Sequence, residues 1–233
     1  MEGVMKPTVV RQVQRLDRAV VDSLAAYGVA TVHEAQFRQG LMRPYMRPIF
    51  RPSRLGGTAI TVSCHPGDNL MIHAAIEWCR PGDVLVVSTT SESTDGMFGE
   101  LLGESARAHG VAGLIIDAGV RDVDALTALR FPVWSRAISA HGTVKAAAGS
   151  VNIPIVCAGT LVEPGDIVVA DADGVVVVRR ASASEVSRLA QQRVDKEGTS
   201  RELLKAGRLG LDLYDLRSTL AALGVHYVET LDS

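Results

Sequence analysis

GELLGESARAHGVAGLIIDAGVRDVD, Gly99 to Asp124, decides the fold. Leu101 to Ala108 has helical spacing, Gly110 stops it, and Leu114 to Asp117 is a short apolar run of strand type. A turn at Gly119 follows, and Asp122 to Leu129 is again helical. Upstream, VLVVS (Val84 to Ser88) leads into the polar loop TTSESTDGMF, residues 89 to 98. Strand, loop and helix thus occur twice in succession. Such alternation calls for parallel strands joined by helical crossovers, and ligands of these sheets gather beyond the carboxyl ends of the strands. Glu100 and the Arg121-Asp122 pair both stand at strand-to-helix turns.

Working outward, Thr58 to Cys64 (TAITVSC) predicts another strand and Asn69 to Cys79 (NLMIHAAIEWC) a helix. Pro-Gly-Asp turns stand at 66 to 68, 81 to 83 and 164 to 166, where Pro fixes φ, Gly allows a positive φ and Asp bonds nearby backbone. Residues 133 to 180 are mainly β, with a hairpin expected at Asp173-Gly174 between two Val-rich runs. Before the core, Val9, Val13, Leu16, Val20 and Leu24 predict a helix over Thr8 to Ala26, and Thr31 with Glu34 has capping-box spacing for a second. Arg43-Pro44, Arg47-Pro48 and Arg51-Pro52 make an irregular connection. They read either as a solvated linker or as arginines facing a subunit boundary or an anionic substrate. A polar helix begins at Ser182, and the apolar tail after Leu209 is expected to pack down.

The fold class is therefore α/β: a layered sandwich with a mixed central β-sheet, helices packed around it and a C-terminal helical extension. No Gly-, Ser- or Pro-rich linker divides the chain. A single domain over 1-233 is expected, with a helical cover (1-40), an α/β core (56-180) and a C-terminal helix and tail (182-233).

Composition bounds the function. A net charge of -2 with dispersed basic residues argues against nucleic acid as a partner. No apolar run reaches the roughly 18 residues of a membrane span, and the N-terminus lacks a signal-peptide core, so a cytoplasmic protein is expected. Cys64, Cys79 and Cys157 are widely spaced in apolar surroundings and suggest buried thiols, neither disulfides nor a zinc site.

The carboxylates at the two turns suit a hard divalent cation, which takes oxygen ligands and often only one or two protein carboxylates. Arg121 offers a planar fork for a substrate carboxylate or enolate oxygen. The amides of Gly99 to Leu102 open a helix and suit an anion. Asp122 also reads as a simple N-cap. The six histidines show no paired metal spacing, although His65 and His73 flank the turn carrying Asn69, so a substrate contact there is open. Lys145 reads as a surface residue, and no lysine in the motif suggests a Schiff base.

Gly99-Glu100-Leu101-Leu102, then Gly113, Asp117, Gly119 and Arg121-Asp122, with twenty residues between Glu100 and Arg121, resembles the signature of the class II pyruvate aldolases. These cleave 4-hydroxy-4-methyl-2-oxoglutarate and 4-carboxy-4-hydroxy-2-oxoadipate, and share a fold with the regulator of ribonuclease E activity A. Gly28-Val29-Ala30-Thr31, the first two Pro-Gly-Asp turns and Leu209-Gly210-Leu211-Asp212 with Tyr214 extend the resemblance along the chain. It implies Mg²⁺ or Mn²⁺ held directly by Asp122 and through water by Glu100. It further implies Arg121 on the pyruvyl carbonyl, a carboxylate cradle of amides from Gly99, Glu100, Leu101 and Leu102, and a substrate contact at Asn69. Glu197 falls near an acid that the family supplies from the next subunit of a trimer or hexamer, or else lies on a solvated face. The reaction implied is retro-aldol cleavage of an oxo-acid in aromatic catabolism, with oxaloacetate decarboxylation beside it. A non-catalytic regulator on the same fold is the alternative. Methyl transfer has no support, since no G-x-G-x-x-G follows a strand.

Overall fold

A computed structural model describes residues 6–231. In chain order the elements are helices α1 (Arg18–Tyr27) and α2 (Val29–Ala35), strands β1 (Arg47–Pro48) and β2 (Leu55–Cys64), helix α3 (Leu70–Ile76), and strands β3 (Asp83–Thr89) and β4 (Gly96–Phe98). Then come α4 (Glu100–Ala108), β5 (Gly113–Val120), α5 (Val123–Ala128) and β6 (Val133–Ile138). Five short strands follow: β7 (Ser150–Val151), β8 (Ile155–Cys157), β9 (Thr160–Val162), β10 (Ile167–Asp171) and β11 (Gly174–Val178). Helices α6 (Ala183–Lys205), α7 (Gly210–Leu213) and α8 (Leu216–Ala222) complete the described chain.

The contacts divide the chain into two compact units, one ending at Ala190 and the other beginning at Gln191. The division falls inside α6, at no linker. In the first unit the main sheet runs β1-β6-β5-β3-β2-β10-β11, with β4 added to β5 and β7 to β2. The pairs among β2, β3, β5 and β6 are parallel, whereas β1, β7, β10 and β11 pair antiparallel. The expected mixed sheet is therefore present, surrounded by helices. Its central strands are apolar on both faces because both are covered.

Strand alternation sorts the core. Ile60, Leu85, Leu114 and Ile116 face α3, α4 and α5 through Ile72, Leu102 and Leu126. Val84, Val86, Ile115 and Trp134 point the other way, onto Ile155, Val162 and Val177. Trp134 is fully buried and donates its indole N–H to Asp171 O at 2.8 Å. A third cluster seats Leu24 and Val32 against Val169 and Val176. Each fully buried side chain of this size contributes roughly 1.5–3 kcal/mol, which makes the sheet a rigid base for the loops at its carboxyl edge.

Four local expectations shift. The first helix begins at Arg18, where the Asp17 carboxylate accepts from Ala19 N at 2.9 Å. Residues before it run extended, with Val10 N bonded to Val151 O and Arg15 paired to the buried Asp83 at 2.7 Å. Long-range pairing there overrides a helical pattern. Helix α2 starts at Val29 with no capping box; Asp171 Oδ2 takes the Val29 N–H instead. Gly119 lies within β5, where an added Cβ would strike Thr94 O, so the turn comes at Arg121-Asp122. The hairpin loop is Ala172-Asp173, since Asp171 pairs with Gly174.

In the second unit no described residue is buried. Leu209, Tyr214, Leu223 and Tyr227 are exposed, contrary to the expected packing of the tail.

Candidate active site

Three chain turns at the carboxyl edge of the parallel strands build one cleft of about 330 Å³. The β2-to-α3 turn supplies Asn69 and α3 itself His73, the start of α4 supplies Gly99 to Leu102, and the β5-to-α5 turn Arg121 and Asp122. Seven of the eight site residues expected from sequence therefore line one hollow. The eighth, Glu197, belongs to the second unit, where it pairs with Arg193 one helical turn away at 2.8 Å.

Asp122 is at the N-cap position of α5 but makes no capping bond with its side chain. Its backbone is left-handed (φ 56, ψ 42), uncommon for a non-glycine residue, although aspartate tolerates it better than most. That conformation carries the carboxylate to the neighbouring helix, where Oδ2 accepts from Glu100 N at 3.1 Å. Arg121 Nε stands 3.7 Å from the same oxygen. Both side chains are about half exposed, and Oδ1 has no hydrogen-bond partner among the described residues. The capping alternative for Asp122 is thus set aside.

Gly99 makes this approach possible. A Cβ there would collide with Asp122 Oδ2 and come within 3.0 Å of Arg121 Cγ. The first amides of α4 have no helical partner to bond. Glu100 N is taken by Asp122, which narrows the expected cradle, and Leu101 and Leu102 N–H stay open. Their side chains divide sharply: Leu102 is buried, whereas Leu101 is 84% exposed. Glu100 is in the first turn of α4, where a carboxylate is favoured by the helix dipole.

Asn69 Nδ2 donates to Met97 O at 3.0 Å, which fixes its amide orientation. Its Oδ1 is buried without a partner. An unsatisfied buried acceptor costs roughly 1–3 kcal/mol, so this atom is placed to receive a donor from outside the protein.

Lys145 is exposed, as expected, and it also lines the cleft. Asp68 brings it there. Its carboxylate accepts from Leu70 N, Ala146 N and Ala147 N at 2.9, 2.6 and 2.8 Å, tying the 140s segment to the Pro-Gly-Asp turn. Burial raises the Asp68 carboxyl, but the three amides together outweigh it and hold it below the usual carboxylate range. This pairing spans 78 residues and has no local sequence signal. Burial, and then the Lys145 charge, lower His73, favouring a neutral ring. His65 is not among the lining residues, and His141 pairs with Asp95 at 2.6 Å on the adjoining loops.

The donor set discriminates among metals. Among the described residues no group of three or more His, Cys, Asp or Glu could cage an ion. Burial pushes the Cys64 and Cys79 thiols up to about 12, and Cys157 higher still, so none is a ready thiolate. A cation that keeps several waters and takes one or two carboxylates fits Asp122, with its free Oδ1, and Glu100; a zinc-type cage does not.

A mixed sheet whose helix starts converge on an arginine-aspartate turn defines the class to which this chain is assigned. Residues 19–177 match the RraA-like family, described as Aldolase/RraA, and the chain belongs to that family. A protein of Halalkalibacterium halodurans named "Putative 4-hydroxy-4-methyl-2-oxoglutarate aldolase" is 33% identical over 159 residues, covering 68% of this chain and 76% of that protein. An uncharacterized protein from Pseudomonas syringae superposes with a TM-score of 0.73 at 26% identity, over 84% of this chain and 96% of that one. A Streptomyces coelicolor structure, titled an unusual member of the RNase ES inhibitor RraA protein family, gives 0.71 at 29% identity, over 81% and 98%. No helix among the described residues is long and apolar enough to cross a membrane.

Proposed function

We propose that this protein is a divalent-metal-dependent class II pyruvate aldolase. It cleaves 4-hydroxy-4-methyl-2-oxoglutarate to two pyruvates, 4-carboxy-4-hydroxy-2-oxoadipate to pyruvate and oxaloacetate, or both, and decarboxylates oxaloacetate as a side activity. The observation that carries this reading is the Asp122 carboxylate. It is held in a left-handed turn against the start of α4, beside Arg121, with one oxygen uncommitted. The aldolase name of the H. halodurans relative supports it.

Asp122 directly, and Glu100 through water, would hold Mg²⁺ or Mn²⁺, which supplies Lewis-acid polarisation of the 2-oxo group. The chain's own residues do the rest. Leu101 and Leu102 amides receive the substrate carboxylate at the positive end of α4. Arg121 bears on the pyruvyl carbonyl oxygen, where negative charge gathers as the C3–C4 bond breaks. The C4 hydroxyl proton leaves to a base in the cleft, a role assigned to Glu100 acting through water. Asn69 Oδ1 offers the acceptor that orients a substrate hydroxyl. C3 of the enolate then takes a proton and pyruvate leaves. The assembly is a homo-oligomer, trimer or hexamer, in which Glu197 reaches the site of a neighbouring copy.

Asp122→Ala should abolish pyruvate release from either oxo-acid in a lactate-dehydrogenase-coupled assay, and EDTA should do the same to the unmodified protein. Full activity in either case would overturn the metal role. The likeness to the S. coelicolor protein favours a second reading, a non-catalytic ribonuclease regulator. That reading predicts a stable complex with a ribonuclease and no pyruvate from either oxo-acid.

A further inference from the structure

Helix α5 has Asp122 at its start, and a different hollow of about 510 Å³ adjoins its other end. Arg51, Arg54 and Arg130 line it, together with Phe50, Pro52 and Pro132. Elsewhere most arginines of the first unit are engaged: Arg15 by Asp83, Arg136 by Asp117 and Arg179 by Asp166. The three lining this hollow have no hydrogen bond or ion pair from their side chains among the described residues, and no carboxylate lines it with them. The adjoining hollow, which shares Arg51 and Arg54, adds Asp171 and Asp173. Both Asp171 oxygens are already taken, by the amides of Val29 and Asp173.

The backbone of Arg130 adds a second, independent observation. Arg130 N donates to Thr127 O at 2.9 Å and Phe131 N to Leu126 O at 3.1 Å, the two bonds that close a helix with a left-handed residue after it. That place is the usual home of glycine, yet Arg130 occupies it at φ 52. A side chain is kept where none would be easier, and it adds a third positive charge to a hollow that already has two. Three exposed guanidinium groups without a protein partner thus line one hollow, the nearest uncommitted carboxylate being Asp173 of the adjoining one.

We propose that this hollow binds a small ligand carrying a pyrophosphate group, of the nucleoside diphosphate class, with its phosphates on Arg51, Arg54 and Arg130 and its ring on the Phe50, Pro52 and Pro132 wall. Guanidinium forks match phosphate oxygens two at a time, and the volume suits a ligand of that size. A single phosphate would engage fewer of the three arginines. The site is separate from the cleft holding Arg121 and does not depend on the aldolase reading.

Isothermal titration of the full chain at low salt tests this, with ADP, inorganic pyrophosphate, AMP and adenosine as probes. ADP is expected to saturate, pyrophosphate to bind less tightly, AMP less tightly again, and adenosine not at all. Arg51→Ala and Arg54→Ala should each weaken ADP about tenfold. Arg130→Gly should weaken it similarly while raising the melting temperature, because glycine suits that backbone; loss of binding then cannot be loss of fold. Arg121→Ala should leave ADP binding unchanged. The proposal fails if neither ADP nor pyrophosphate saturates below about 1 mM. It fails equally if adenosine binds as well as ADP, if the three arginine variants keep full affinity, or if Arg121→Ala abolishes binding. A change of sedimentation coefficient in Arg51→Ala without any nucleotide binding would reassign the hollow to a contact between copies.

Discussion

Gly99→Ala tests the geometry of the cleft with a single methyl group. Gly99 is extended, at φ -153 and ψ -164, a conformation open to alanine, so the backbone does not resist the change. The methyl does. It would enter the space of Asp122 Oδ2 and stand 3.0 Å from Arg121 Cγ. A comfortable carbon–oxygen approach is about 3.3–3.6 Å, so the carboxylate must retreat by about 1 Å. Asp122 has little freedom to follow by moving its backbone: its carbonyl accepts from Leu126 N at 3.0 Å, and Arg121 N is bonded to Phe98 O at 2.9 Å. The bond from Glu100 N is then lost, costing about 1 kcal/mol and lowering the melting temperature by about 2–4 °C. Misplacing the groups around a reacting centre by 1 Å costs on the order of 100-fold in rate. Coupled pyruvate release should therefore fall about 100-fold while the melting temperature drops by only about 2–4 °C. Activity within about threefold of the unmodified protein would refute the reasoning, because Asp122 and Arg121 would then tolerate displacement. A melting temperature lower by more than about 10 °C would also refute it, since the methyl would then be acting on the whole fold.

Three further outcomes follow from the same contacts. Lys145→Met should move the His73 pKa upward without restoring it, since burial, the larger cause, remains; NMR titration of the ring reads this, and an unchanged value would sever Lys145 from the cleft. The sign carries into stability. A histidine lowered in the folded state contributes stability that is full above its unfolded pKa of about 6.5 and is lost as pH falls through the folded value, and the variant should narrow that window. Asp68→Asn should cost about 2 kcal/mol at neutral pH, because one amide oxygen replaces two that accept three N–H bonds. Its carboxyl is lowered on folding, so its contribution stands above the unfolded pKa of about 3.9 and is lost as pH falls through the folded value. Acid unfolding followed by circular dichroism should show that loss in the parent and not in the variant. Mixing Arg121→Ala with Glu197→Ala protein should regain part of the pyruvate activity if Glu197 serves a neighbouring copy; no recovery would confine both residues to one subunit or remove Glu197 from the reaction.

The strands were legible because both faces of the sheet are covered: TAITVSC, VLVVS and LIID are continuous apolar or β-branched runs, and burial demands no less. The cleft was legible for a related reason. Glu100, Arg121 and Asp122 follow directly on strands, and consecutive parallel strands end at the same edge. What escaped depended on contacts between distant parts of the chain. The start of α1 was hidden because Arg15 finds Asp83 across 68 residues, and Lys145 because Asp68 reaches the 140s amides. Arg51 stood out in the Arg-Pro repeat, but nothing near it in sequence announces Arg130 as its neighbour.

Asp117 shows how far spacing can be trusted. It lies in the same motif as Arg121 and Asp122, and by residue type it is as fit a metal ligand as either acid. Parity along β5 separates them. Leu114, Ile116, Ala118 and Val120 face α3, α4 and α5, so Asp117 faces the opposite core beside Ile115. There its carboxylate accepts from Tyr45 Oη at 3.0 Å, Arg136 Nε at 2.8 Å and Ala158 N at 2.8 Å. Arg136 lies 4.5 Å over the Tyr45 ring, and burial, followed by the Asp117 charge, pushes the Tyr45 phenol up to about 12. A half-buried carboxylate holding three donors is an anchor, and it fixes β5 against the segment around Ala158. Asp122 differs in the one respect that matters for chemistry: an oxygen is left over. Within one motif, then, the first acid holds the strand still and the second is offered to the cleft at its end, so that removing Asp117 would loosen the positions of Arg121 and Asp122 without touching anything bound between them.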